Sequence, residues 1–257
     1  MKVIVCVKHV PDTAATIKVK DDTGYEDGSV KFIPNPYDEF GIEEAVRIVE
    51  KEGGEVVILT VGRTAAVSTI RSALAMGANR AILVKTDNQF LDSSLTAQAM
   101  KAAMEQDGLP DLIFTGKSAV DTETFQTPYR LAKSLGLPMV NEVSNLTLNG
   151  AQAVARCDIG GGQKRIIELG LPGVIGATKG LNIPRYPKLP DIMKAKKKEI
   201  KEIDLADVGI DAASSRVVIE KLEIVPERSG ATMLEGSLDE QVEELIRVLK
   251  EDEKVIL

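Results

Sequence analysis

Five short runs of this chain are apolar almost without interruption: Val3 to Val7, Val56 to Val61, Ala81 to Val84, Leu112 to Thr115 and Val174 to Ala177. A strand with one wetted face alternates apolar and polar residues. A continuously apolar strand has to be covered on both faces, as the central strands of a parallel sheet are. The stretches between the first four runs have helical period. Asn35-Pro36 supplies an N-cap and a first-turn proline, with Asp38 and Glu39 in the first turn. Ile42, Ala45, Val46 and Val49 then fall on one face, and Gly53-Gly54 ends the helix. Gly62 turns the second strand into a helix from Thr64 to Met76, with Val67, Ile70 and Leu74 inward and Gly77 at its end. Further helices are predicted from about Asp92 to Gln106 and from Thr122 to Leu135. Strands alternating with helices over short connections predict an α/β fold, a doubly wound parallel sheet with right-handed crossovers.

Other segments break this rhythm. Thr16 to Phe32 is polar, with Asp-Asp and Gly turns, and reads as a short hairpin or excursion. Beyond Pro138, Val143 to Leu148, Ala151 to Arg156 and Arg165 to Leu169 read as a small antiparallel region, with Asn149-Gly150 as a hairpin turn. Gly180 to Lys201 carries three prolines and a basic run and reads as an extended arm. A strand near Val217 to Ile224 and a helix from Leu238 to Lys250 complete the chain. Two regions are expected: a nucleotide-binding domain over 1–180 with its antiparallel addition, and over 181–257 an arm, a docking loop and a terminal helix.

Composition removes several function classes. Aromatics make up 4% with no Trp, and the net charge is −7, so neither base stacking nor broad nucleic-acid binding is expected. Cys6 and Cys157 are far apart and offer neither metal spacing nor a disulfide framework, and both lie in apolar runs. Buried thiols in a reducing cytoplasm are the plain reading. The single His9 leaves no histidine metal site and no Ser-His triad within the chain. The opening MKVIVCVKHV reads as a strand rather than a signal peptide, and no apolar run reaches the roughly 18 residues of a membrane span. A cytoplasmic location is expected.

In an open parallel sheet, ligands bind beyond the carboxyl ends of the strands. Four loops converge there: Lys8 to Thr13, Pro34 to Glu39, Gly62 to Thr64 and Gly116 to Thr127. The last is the richest. Gly116 permits close backbone approach, and a helix starting after Asp121 would present free N–H groups to an anion. Ser118, Thr122, Thr124 and Thr127 add hydroxyls, and Gln126 adds an amide. Gly116-Lys117-Ser118 resembles the end of a P-loop, but Asp111 stands where that motif requires glycine. The residues by themselves fit both a capped helix start and a phosphate site. For Asp38, Asp121 and Glu123, helix capping outweighs acid–base work. Gly160 to Gly162 lies between two strands and reads as a hairpin turn. The basic run at 194–198 lacks interleaved aromatics and reads as solvated or partner-facing. Upstream, Pro184 to Pro190 combines a stiff backbone with Tyr186, Leu189, Ile192 and Met193, which suits protein docking.

These residues resemble one family, the β subunit of electron transfer flavoprotein. The resemblance covers nearly the whole chain. It rests on VIVCVKHVPDT at 3–13, NPYDEFGIEEAVR at 35–47, TIRSALAMGANRAIL at 69–83, GKSAVDTETFQT at 116–127 and LPGVIGATKGLNIPRYPKLPDIMKAKKK at 171–198. It implies an adenine-nucleotide-binding α/β fold and a heterodimer with an α subunit that carries its own FAD. It also implies a C-terminal arm that embraces that partner. The nucleotide site would comprise Cys6, Asn35, Pro36, Tyr37, Asp38, Val61 and the loop Gly116, Lys117, Ser118, Ala119, Val120, Asp121, Thr122, Glu123, Thr124, Phe125, Gln126 and Thr127. Arg185, Tyr186, Leu189, Ile192, Met193 and Lys194 would dock a flavin dehydrogenase, with Leu189 as the anchor.

Two kinds of member exist within the resemblance. One binds AMP structurally and docks onto acyl-CoA-type dehydrogenases. The other binds FAD in the β subunit, takes electrons from NADH and bifurcates them. Asn35-Pro36-Tyr37-Asp38 is similar to the FAD type, as are Asp92 and Thr96 in the segment Asp92 to Ala97. Val120 to Gln126 is similar too, with Thr122 where glycine is usual and Phe125 where alanine is usual. The expectation is therefore FAD, with AMP as the alternative. A stand-alone nucleotide-binding domain of similar fold would have no use for the segment from Arg185 to Lys198.

Overall fold

The computed structural model describes residues 1–21, 23–26, 28–225 and 230–255. Two compact units are present, Met1–Leu222 and Glu223–Leu257.

In the first unit the apolar runs become strands and the periodic stretches become helices. The elements are β1 (Lys2–Cys6), β2 (His9–Pro11), β3 (Lys18–Asp21), β4 (Gly24–Glu26), β5 (Phe32–Pro34), α1 (Pro36–Glu52), β6 (Glu55–Gly62), α2 (Val67–Ala75), β7 (Arg80–Lys85) and α3 (Ser93–Asp107). They continue with β8 (Leu112–Gly116), α4 (Thr127–Leu135), β9 (Met139–Asn149), β10 (Gln152–Asp158), β11 (Lys164–Gly170), β12 (Val174–Ala177), α5 (Leu189–Ala195) and β13 (Ile200–Asp204). Nine strands form one sheet in the order β11-β10-β9-β12-β8-β1-β6-β7-β13. From β12 to β13 every neighbouring pair is parallel. β9 joins β12 in parallel and carries β10 and β11 as antiparallel additions.

Side chains alternate between two apolar layers. Val3, Val5 and Val7 pack with α1 and α2 residues such as Ile42, Val46, Ile70 and Leu74. Ile4 and Cys6 pack with α3 and α4 residues such as Met100, Met104 and Leu131. Both faces of the central strands are therefore dry, as their unbroken apolar runs require. The Asn149-Gly150 turn joins β9 to β10 with Asn149 opposite Gln152, and Gly150 has φ 60°. Gly160 to Gly162 all take positive φ between β10 and β11, so this glycine run makes a turn. Of the Thr16 to Phe32 excursion, β3 and β4 form a small hairpin; positions 22 and 27 lie outside the described residues.

Three local expectations change. The helix after β8 starts at Thr127, not at Thr122. Glu123 and Phe125 take φ of 43° and 57°, outside the helical basin, and Pro128 opens the helix instead. The stretch read as an extended arm contains α5, and then β13 pairs in parallel with β7. Ile203 is buried there, and β13 covers what would be an open sheet edge. No ladder forms from Val217 to Ile224 among the described residues. Val217 and Val218 are exposed, so the strand composition of this stretch is not matched by packing. In the second unit, α6 (Leu238–Arg247) begins at Ser237, whose hydroxyl accepts from Glu240 N, and a further π-helical turn follows over 248–252.

Phe114 is fully buried in β8, close beneath Gly41 of α1. Phe114→Ala is expected to cost about 3–5 kcal/mol, read from the denaturant midpoint of the transition that reports the 1–222 unit.

Candidate functional site

Strand order reverses between β1 and β8. The chain runs from β1 outward through β6 to β7, then returns to place β8 on the other side of β1. This is the switch point at which an open α/β sheet leaves a crevice. The loops leaving β1 and β8 meet there, and the first turn of α1 binds them together.

Asn35 and Asp38 make that connection. Both are buried, with Asn35 1% exposed and Asp38 4%. One carboxylate oxygen of Asp38 accepts from Lys8 N at 2.7 Å. The other accepts from Gly116 N at 2.8 Å and from Asn35 Nδ2 at 2.9 Å. Asn35 Nδ2 also donates to Ser118 O at 2.8 Å, and Asn35 Oδ1 accepts from Val120 N at 3.1 Å. Asn35 thus stands at the N-cap of α1 without capping it. Its amide reaches across to the β8 loop instead. Gly116 is required for the same reason. A Cβ there would lie 2.7 Å from Tyr37 Cβ and would collide with Asp38 Oδ1, so the close approach is made by α1.

Burial pushes the Asp38 carboxyl up to about 7, against the pull of its N–H donors from Lys8, Asn35 and Gly116. The Cys6 thiol beneath it is raised by burial and by the Asp38 charge, so Cys6 acts as apolar wall rather than as a nucleophile. At the rim, Lys8 Nζ pairs with Asp121 at 2.8 Å. Lys117 Nζ stands 5.0 Å from the Tyr37 ring centroid and 5.8 Å from that of Phe125, with Glu142 at 3.5 Å. His9, beside Lys8, stacks on Phe32 and shares a 2.7 Å hydrogen bond with Thr69.

Two buried hydroxyls next to Gly116 have no hydrogen-bond partner among the described residues: Thr115 Oγ1 in β8 and Ser118 Oγ two residues beyond Gly116. Leaving a buried hydroxyl unpaired costs about 1–3 kcal/mol. Thr115 Oγ1 and Ser118 Oγ, with Lys8 paired to Asp121 and Lys117 paired to Glu142, are the groups that could meet an anionic, phosphate-bearing ligand.

The remaining residues divide. Gln126 joins the loop to α3 and α4, accepting from Ser93 Oγ at 3.1 Å and from Arg130 Nη2 at 2.9 Å. Ala119 O accepts from Glu123 N and closes the loop on itself, while Thr122 and Thr124 are exposed. Asp92 is the N-cap of α3, accepting from Ser94 N, Leu95 N and Ser215 Oγ. Thr96 donates its hydroxyl to Asp92 O. Both are occupied with the helix start. Val61 packs on the α3–α4 side of the sheet. Tyr186, Leu189, Ile192 and Met193 are exposed together around α5, whereas Arg185 is held by Glu43 and Glu50 of α1. Thr115, Glu50 and Glu142 lie in no motif, and Glu43 lies in the 35–47 stretch with nothing to mark it out. Only the seven-residue spacing of Glu43 and Glu50 on one helix face hints at a shared task. Among the described residues no group of His, Cys, Asp and Glu is placed to hold a metal. No helix among the described residues is long and apolar enough to cross a membrane.

A family model, the electron transfer flavoprotein domain, matches residues 23–208. The chain is 35% identical over 260 residues to electron transfer flavoprotein subunit beta of Bacillus subtilis, covering all of both chains. It is 39% identical over 262 residues to the mitochondrial subunit beta of Arabidopsis thaliana, again covering all of both. The human subunit beta is 38% identical over 256 residues, covering 98% of this chain and 97% of its own. This chain belongs to the electron transfer flavoprotein β-subunit family.

In this β subunit Asp38 favours folding most at low pH. The carboxyl titrates near the ordinary 3.9 when unfolded and near 7 when folded. The stability it contributes is present below about pH 4 and is lost as the pH rises towards about 7. Asp38→Asn should remove that slope. Denaturation of both proteins at several pH values between 4.5 and 8 should therefore show a stability difference that changes through this window and levels off above it.

Proposed function

We propose that this chain is the β subunit of a heterodimeric electron transfer flavoprotein and holds FAD at the β1–β8 switch point. With an α subunit carrying a second FAD, it would transfer electrons between NADH or a dehydrogenase and a redox partner, by flavin-based bifurcation. The observation that carries the nucleotide reading is the pair Thr115 Oγ1 and Ser118 Oγ, on either side of Gly116 in sequence, both buried without a hydrogen-bond partner among the described residues. Asn35-Pro36-Tyr37-Asp38 favours FAD because it resembles the same segment of FAD-binding members.

The bound flavin supplies the electron chemistry. This chain's residues hold and orient. Asn35 and Asp38 fix Gly116 to Val120, Ser118 and Thr115 offer hydroxyls to phosphate, and Lys8 and Lys117 offset its charge. No side chain has to act as acid or base. A specific observation favours AMP as the second reading. Phe125, where the resembling FAD-type loop has alanine, stands with Lys117 and Tyr37 at the loop surface, where a smaller ligand is easier to admit.

The exposed Leu189, Ile192 and Met193 on α5 suit docking of a flavin dehydrogenase. The assembled protein works as a carrier, in the cytoplasm.

Absorbance near 450 nm of the purified heterodimer separates the two ligands. Two flavins per dimer are expected; one flavin with releasable AMP would sink the FAD reading. Leu189→Ala should abolish electron transfer to the dehydrogenase while nucleotide content stays unchanged, and unaltered turnover would refute the docking role.

A further inference from the structure

We infer that Arg185, Glu43 and Glu50 form a positioning clamp that pre-forms the docking helix α5 and fixes how its apolar face is presented. The inference rests on the docking reading of the 185–194 segment.

Helix α5 has no reason to persist on its own. It is seven residues long, far shorter than isolated helices that hold in water. Its side chains give it little anchorage: Leu189 is 73% exposed, Ile192 42% and Met193 54%. Only Ala195 is buried. The segment that leads into it does not lie flat on packed core either. It borders a cleft of about 600 Å³ lined by Leu74, Met76, Tyr186 and Pro187 among others. Beyond the packing of α5 on α2 through Ala195, what holds it lies at its two ends.

The incoming end is fastened to α1. Asn182 Nδ2 donates to Phe40 O and to Glu44 Oε2, both at 2.9 Å. Arg185 then spans two carboxylates. Its Nε and Nη2 meet Glu43 at 2.8 and 3.1 Å, and its Nη1 and Nη2 meet Glu50 at 2.6 and 3.0 Å. Its own backbone N–H donates to Glu43 Oε2 at 3.0 Å, which fixes the main chain as well as the side chain. Glu43 and Glu50 lie two helical turns apart, so the planar guanidinium is bridged along one face of a rigid element. The outgoing end is fastened to α2. Arg71 Nη1 donates to Ala195 O at 2.7 Å and Lys198 O at 2.6 Å, and Lys198 Nζ donates to Leu74 O at 2.9 Å.

A surface ion pair is worth little by itself. This one differs because Glu43 is buried, and because a backbone N–H takes part. Fixing α5 before a partner arrives removes the ordering cost from the docking step. Lysine cannot reproduce the clamp, since an ammonium is a point charge without the fork that spans both carboxylates.

Amide hydrogen exchange of the full chain in its heterodimer tests this. Arg185→Lys should speed exchange over 189–196 about tenfold or more, with Glu50→Gln giving a smaller rise and β1, β8 and α3 unchanged. Native exchange over 189–196 in both variants, or a rise spread evenly through 1–222, would overturn the clamp. Glu50→Gln keeps Glu43 paired, so it remains informative if Arg185→Lys folds poorly. Leu189→Ala with native exchange and unaltered electron transfer would instead overturn the docking reading and leave the clamp standing.

Discussion

One buried carboxylate carries the organisation of this site. Asp38 accepts from the backbone of the loop after β1 and from the backbone of Gly116, the last residue of β8, two segments that sequence keeps far apart. Paying for its burial requires those donors, because an acid with few partners in an apolar layer is costly. Once they are present, the crevice at the switch point has a fixed floor. Gly116 has no Cβ because α1 occupies that space, and Asn35 extends the same tie to Ser118 and Val120. The loop from Lys117 onward is then free to take its irregular path, with positive φ at Glu123 and Phe125.

Helix α1 serves both regions of interest. Its first turn ties the loops of the proposed nucleotide crevice, and its later turns hold Arg185 at the head of the proposed docking segment. Asp38 and Glu50 are separated by twelve residues, roughly 18 Å along a helix axis. A single rigid helix thus sets the distance between the proposed nucleotide crevice and the proposed docking face, without any hinge between them.

Much of this was legible in the sequence, for physical reasons. Unbroken apolar runs can only be central strands, so the alternation of strands and helices followed directly. The rule that ligands lie beyond the carboxyl ends of such strands picked out the loops at Lys8, Pro34, Gly62 and Gly116, of which Asp38 and Asn35 tie the first, second and fourth together. Local signals were less secure where they compete. Asp121 read as a helix cap, but Thr127-Pro128 carried the real start. Asn35 occupied a cap position while spending its amide elsewhere. The stretch from Val217 to Ile224 has strand composition but pairs with no strand among the described residues. Contacts between residues distant in sequence left no trace: Arg185 lies 142 residues from Glu43, and neither residue type announces the other.

The central claim is that the tie between α1 and the β8 loop makes the crevice competent for an adenine nucleotide. Asn35→Ala tests it most directly, because it removes the bonds to Ser118 O and Val120 N and leaves the sheet untouched. Affinity for FAD and for AMP, titrated into nucleotide-stripped protein with circular dichroism as a check on the fold, should fall at least tenfold for the ligand that the native protein prefers. A folded Asn35→Ala protein that binds both as tightly as the native chain would contradict the account.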